Sequence, residues 1–248
     1  MDARPLTDTE LAAKLAAAAG ELLLDLRARG EFAGKALGIE GDRLANALLV
    51  ARLAAERPDD GLLSEESKDT PERLDKARVW IVDPLDGTRE YSEGREDWAV
   101  HVALAVGGLA TIGAVALPAL GGLVLRSDLP VPVPPHEGRP RLVVSRSRPP
   151  AQALAVAQAL GGELIEMGSA GAKAMAVVAG AADIYLHAGG QYEWDNCAPV
   201  AVAQAHGLHC SRLDGGVLRY NERDPYLPDV LICRPEWAGP VLDALAEL

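Results

Sequence analysis

The chain has 248 residues, 49% of them hydrophobic and 24% charged, with a formal net charge of −12. That length carries one large domain or two small ones with cores of their own. The negative charge excludes a coat for nucleic acid or for an anionic membrane, but leaves open a small anionic ligand held through cations.

The first signal is a capping box, Thr7 with Glu10, opening a helix through Leu11, Leu15, Leu22 and Leu26 that Gly30 ends. A second helix is predicted from Asp42 to Arg57, with Leu44, Leu48 and Leu49 on one side and Pro58 beyond it. A short apolar pair, Leu62-Leu63, runs into Ser64-Glu65-Glu66, and Val79 to Val82 reads as a short strand. Trp98 to Leu125 carries no Asp, Glu, Lys or Arg and is long enough to span a bilayer. Gly107-Gly108, Pro118 and Gly121-Gly122 interrupt it, and Val100, Val102, Leu104 and Val106 alternate. Two or three strands joined by glycine turns are therefore predicted, not a membrane span.

Leu129 to Pro140 holds five prolines in twelve residues and is the best boundary candidate. It divides the chain into residues 1–134 and 135–248, expected to form one unit with the active site at the junction. Past it come a strand, Arg141 to Ser145, and a helix, Ala151 to Leu160. Ser169 then caps a helix through Lys173 to Val178, and Asp183 to His187 is a strand. Asp195 opens a helix through Ala205 that Gly207 closes, and a last helix covers Glu236 to Glu247. Cys197, Cys210 and Cys233 form no C-x-x-C pair, so neither a disulfide framework nor a zinc site is indicated. The polar opening MDARPLTDTE lacks a signal-peptide core, and a cytoplasmic location is expected.

The densest chemistry lies in WIVDPLDGTREY, Trp80 to Tyr91. Pro84 fixes its own φ between Asp83 and Asp86, so a rigid turn past the strand end would aim both carboxylates and the Leu85 carbonyl into one space. Oxygen ligands of this kind suit Mg²⁺. Gly87 permits close backbone approach, and its N–H with that of Thr88 suits an anion. Taken alone, such residues make an ordinary solvated turn, Glu65-Glu66 a surface pair, and Asp195 a helix cap.

Glu65-Glu66, then Asp83-Pro84-Leu85-Asp86-Gly87-Thr88, then Trp194-Asp195, in that order, resembles the inositol monophosphatase superfamily from Asp42 to about Asp229. The resemblance implies a layered α/β/α/β/α sandwich of mixed α/β class and a lithium-sensitive, Mg²⁺-dependent phosphomonoesterase with two or three ions. It implies Glu65, Asp83, the Leu85 carbonyl, Asp86 and Asp195 as metal ligands, with Thr88 and Asp42 orienting the attacking water. Direct in-line attack by metal-activated water follows, with Gly87 and Thr88 on the phosphoryl group. A monomer or homodimer is implied. Glu40, two positions before Asp42, has no role assigned.

Within that superfamily, Val144-Ser145-Arg146-Ser147, Gly168 to Lys173 and Gly216 to Asn221 resemble the CysQ-type branch. That branch removes the 3′-phosphate of 3′-phosphoadenosine 5′-phosphate (PAP), with its sulfated analogue a further candidate, in sulfur assimilation. A nucleotide bisphosphate substrate is then expected to meet Ser145, Arg146, Ser147, Ser169, Lys173 and Asp195. The N-terminus of the helix at Ser169 would receive the 5′-phosphate, and His187 or Tyr220 would lie near the adenine. The alternatives are an inositol monophosphatase, a fructose-1,6-bisphosphatase, or a non-catalytic metal-binding relative.

Overall fold

In a computed structural model, which describes residues 4–248, two five-stranded sheets are separated and flanked by helices. The first sheet has the order β1 (Gly61–Ser64), β2 (Arg78–Asp86), β3 (Ala99–Val106), β4 (Leu109–Leu117) and β5 (Leu123–Arg126). β1 and β2 are parallel and the rest antiparallel. The second has the order β7 (Glu163–Met167), β6 (Arg141–Ser145), β8 (Ile184–Tyr192), β10 (Tyr226–Cys233) and β9 (His209–Ser211). Its β7, β6 and β8 are parallel, and β10 and β9 antiparallel.

The helices fill three layers. α1 (Asp8–Arg29) and α2 (Gly34–Glu56) cover the outer face of the first sheet; α5 (Ala170–Val178) and α6 (Glu193–Ala205) lie between the sheets. α4 (Ala151–Leu160) and α7 (Pro235–Ala246) cover the outer face of the second. A one-turn helix, α3 (Thr88–Ser92), follows β2 directly. The expected α/β/α/β/α layering is therefore observed. No helix among the described residues is long and apolar enough to cross a membrane.

Strand alternation explains how one sheet serves two cores. On β2, Trp80 and Val82 pack under α1 and α2, while Val79 and Ile81 turn to the middle layer. On β3, Val100, Val102 and Leu104 take the outer side and Ala99, Ala103 and Ala105 the inner. The inner residues are small because α6 lies close: a Cβ on Gly113 of β4 would meet the Ala198 carbonyl at 2.5 Å. Leu129 to Pro140 holds no helix or strand and links β5 to β6. Its Pro134 carbonyl accepts from Arg234, and His136 pairs with the buried Asp183.

Most elements fall where the sequence puts them, including the Thr7 capping box and the left-handed Gly30 after α1. Four differ. α2 begins at Gly34, so Asp42 lies inside the helix and not at its start. β2 continues through Asp83 to Asp86, and its register with β3 slips between the two aspartates, so a bulge takes the place of a turn. β1, β7, β9 and β10 are short or irregular strands without a clear signal. In α6 the N-cap is Tyr192; Asp195 sits a turn later and its Oδ2 accepts from the Tyr192 N–H at 2.6 Å.

Candidate active site

The β2 bulge brings Asp83 and Asp86 to the inner side of the sheet, where the N-termini of α5 and α6 arrive from the second half of the chain. Asp83, Asp86 and Asp195 each offer an oxygen within 4.8 Å of the others. Glu65, just past β1, completes the group. The Glu65 residue is exposed, yet its carboxyl end is crowded by the other acids; burial of that end and the Asp195 charge push it up to about 7. Asp83 is 1% exposed; burial, then Glu65, Asp86 and Asp195, raise it well above the carboxylate range. Burial and Asp86 push Asp195 up to about 6.

Asp86 is the exception. Burial opposes its charge, but His101, Ser169 and Gly171 outweigh burial and hold it at about 2. Ser169 Oγ donates to Oδ2 at 2.5 Å, the Gly171 N–H donates to Oδ2 at 2.6 Å, and the Ala170 N–H donates to Oδ1 at 3.1 Å. Asp86 thus occupies the N-terminus of α5 from the other half of the chain, as an anion suits a helix start. Ser169 also accepts from the Ala172 N–H and holds an unusual φ of 50° for a residue with a side chain.

This changes the reading of the Gly168 to Lys173 segment. The α5 N–H groups expected to face a substrate phosphate are engaged by Asp86. Lys173 is not a surface lysine: it is 5% exposed, and Nζ donates to the Gly168 carbonyl at 3.2 Å and the Ser169 carbonyl at 2.5 Å. Burial lowers its pKa, against the nearby Asp86, Glu90 and Asp195 charges. Gly168 is tightly packed: a Cβ there would lie 2.2 Å from Glu90 Cγ, so a larger residue must displace that side chain. Its N–H donates to Asp97 Oδ2 at 2.6 Å.

On the opposite side, Asp42 projects from α2. Thr88 Oγ1 donates to the Leu85 carbonyl at 3.1 Å and approaches Asp42 Oδ2 at 3.4 Å. Asp42 Oδ1 is buried with no hydrogen-bond partner among the described residues. Burial, then Glu66 and Glu65, push Asp42 up to about 8. Gly87 sits at φ 88°, with Ser169 and Trp98 at 3.1 and 3.3 Å from where a Cβ would be. Only glycine suits both that backbone and that space.

The remaining candidates divide. Ser145 ends β6, with Arg146 and Ser147 just beyond it, beside the end of the parallel strand β7, where ligands gather on parallel sheets. Arg146 pairs with Glu90 at 3.1 Å and Glu93 at 2.9 Å. His187 on β8 is half-buried; burial and Lys173 push it down to about 4, so it is neutral at pH 7. Tyr220 does not belong here: it is buried in the middle core and its hydroxyl donates to Asn196 at 2.8 Å. Sequence reasoning does not reach His101 or Asp97, and gives Gly171 no role of its own within the Gly168 to Lys173 segment. The one available signal is His101, a lone polar residue in the apolar strand AVHVALAV.

Four carboxyl groups packed together, three of them with raised pKa values, are a donor set that hard cations fit. The Leu85 carbonyl, with a second lone pair beyond the Thr88 bond, is consistent with that set. A two-sheet layered fold with this acidic junction is matched over residues 6–129 and 139–246 by the model of the inositol monophosphatase family. The chain belongs to that family. It is 54% identical over 257 residues to the 3′-phosphoadenosine 5′-phosphate phosphatase of Mycobacterium leprae, covering 98% of this chain and 95% of that protein. It is 32% identical over 197 residues to the 3′(2′),5′-bisphosphate nucleotidase CysQ of Escherichia coli, 75% of this chain and 80% of that protein. The crystal structure of CysQ from Bacteroides thetaiotaomicron superposes with a TM-score of 0.76 at 26% identity. That match covers 90% of this chain and 96% of the other.

Proposed function

We propose that the protein is a Mg²⁺-dependent phosphomonoesterase that hydrolyses the 3′-phosphate of PAP to give AMP and inorganic phosphate. The observation that carries the chemistry is the convergence of Asp83, Asp86 and Asp195 within 4.8 Å of one another. The substrate rests on the 54% identical relative named for PAP. Glu65, Asp83, the Leu85 carbonyl, Asp86 and Asp195 would hold two or three ions. Bound there, Mg²⁺ would supply phosphate charge neutralisation and a more acidic water.

The chain's own residues do the rest. Thr88 Oγ1, already donating to the Leu85 carbonyl, orients the attacking water, and Asp42 Oδ2 takes its proton. Asp42 must be ionised for this, and positive charge beside Glu65 and Glu66 brings it down from about 8. The Gly87 and Thr88 N–H groups face the phosphoryl oxygens. No side chain here acts as a covalent nucleophile, so the water oxygen attacks phosphorus directly as the bond to the 3′ oxygen breaks, and that oxygen takes a proton from solvent to leave as the 3′-hydroxyl of AMP. Ser145, Arg146, Ser147 and His187 border the space for the nucleoside and 5′-phosphate, with the Lys173 charge buried behind. Three free cysteines suit a reducing cytoplasm.

The test is phosphate release from PAP, inositol 1-phosphate and fructose 1,6-bisphosphate, with Mg²⁺ and with excess EDTA. PAP is expected to be hydrolysed best, and only with Mg²⁺. Full activity in EDTA refutes the cation reading, and a better rate on either other ester refutes the substrate.

A further inference from the structure

β3 carries one polar residue, His101, on its inner face, and the imidazole is 0% exposed. Nδ1 lies 3.0 Å from the Trp194 carbonyl, one residue before Asp195. Nε2 lies 3.2 Å from Asp86 Oδ2. That second contact is close but off-line, and Nε2 has no well-directed hydrogen bond to any described residue. The ring therefore spans from the β2 bulge to the first turn of α6.

Gly171 makes room for it. A Cβ on Gly171 would lie 2.0 Å from His101 Nε2, and the Gly171 N–H donates to the same Asp86 oxygen. A histidine from the first half of the chain and a glycine from the second are fitted to each other around one carboxylate. Nothing in simple core packing calls for an imidazole there; the neighbouring inner positions of β3 are alanines.

We propose that His101 is a positioning residue that sets the spacing of Asp86 and Asp195, and through it the affinity for the divalent cation. The proposal rests on reading the acidic cluster as a cation site. Asp86 ends β2 in the first half of the chain and Asp195 lies in the first turn of α6 in the second, so their spacing depends on how the two halves of the chain meet. The imidazole is a rigid plate touching both acidic segments, and side chains outside the ligands that orient them affect metal binding strongly.

The experiment is Mg²⁺ binding by calorimetry and by the Mg²⁺-induced rise in thermal midpoint. It compares wild type, His101→Gln, His101→Ala and the double variant His101→Ala/Gly171→Ala. His101→Ala is expected to weaken Mg²⁺ binding by about 10- to 100-fold, with KM for PAP at saturating Mg²⁺ near the wild-type value. His101→Gln, which keeps one donor, falls between. In the double variant the new methyl group fills part of the vacated space, so the midpoint without Mg²⁺ recovers in part while Mg²⁺ affinity stays weak. If affinity recovers with packing, or His101→Ala binds Mg²⁺ as wild type does, the positioning role is overturned. If wild type binds no Mg²⁺, the cation reading falls and this inference with it. Should His101→Ala fail to fold, the double variant and His101→Gln decide between the same outcomes.

Discussion

Asp42→Asn is expected to stabilise the cation-free protein while abolishing its activity. Asp42 is 8% exposed and its pKa rises from an ordinary 3.8 to about 8 through burial, Glu66 and Glu65. A carboxyl group whose pKa is raised by folding contributes stability that is full below its unfolded value and lost as pH climbs through the folded one. Between pH 3.8 and about 8, each unit therefore removes about 1.4 kcal/mol of stability. By pH 7 that amounts to at most about 4 kcal/mol. Asn is isosteric with the protonated acid and does not titrate. In urea melts with excess EDTA, the variant should match wild type near pH 4 and exceed it progressively toward pH 8. With saturating Mg²⁺ the gap should narrow, because positive charge at the cluster relieves the same repulsion. A variant no more stable than wild type at pH 8 in EDTA, or a gap that does not change with pH, refutes the reasoning.

Ser169→Ala removes a hydrogen bond to a buried carboxylate and the cap on the Ala172 N–H. It is expected to cost about 2–4 kcal/mol by denaturant melts and to raise the Mg²⁺ concentration for half activity more than KM for PAP. Lys173→Ala leaves the Gly168 and Ser169 carbonyls without their buried donor, at about 1–3 kcal/mol. A thermal midpoint lower by several degrees is expected; an unchanged midpoint with only KM for PAP raised would make the lysine a substrate contact. Gly168→Ala drives a methyl group into Glu90 and should cost about 1–3 kcal/mol. Through the Glu90–Arg146 pair it should also raise KM for PAP above that for inositol 1-phosphate; equal changes would detach Arg146 from the nucleotide.

The fold is legible wherever the signal is local. The Thr7 capping box, Gly30 and the glycine turns within Trp98 to Leu125 act over a few residues, and each lies where its chemistry puts it. The segments carrying the acids are legible too, because DPLDGT and the Trp-Asp pair are distinctive strings. What the string conceals is how Asp86 is used. Its partners Ser169, Ala170 and Gly171 lie more than eighty positions away, and no periodicity reports a bond of that span. The same blindness gives α5 an open N-terminus and hides that Lys173 is engaged by the Gly168 and Ser169 carbonyls. Tyr220 reads as near the adenine because an aromatic ring can stack, whereas burial against Asn196 makes it core. β1 is too short, at four residues, to alternate visibly.

Asp86 closing the start of α5 bears on how such a protein can decay. Losing Asp83 relieves a buried repulsion and strands only the Leu85 N–H, so a lineage freed from selection for chemistry can drop that residue at small cost. Losing Asp86 strands three donors at the head of a helix that lies between both sheets. Drift should therefore empty the site unevenly. In silent descendants of this fold, an acid at position 86 is the one to expect still in place, and its survival alone is poor evidence that the chemistry survives.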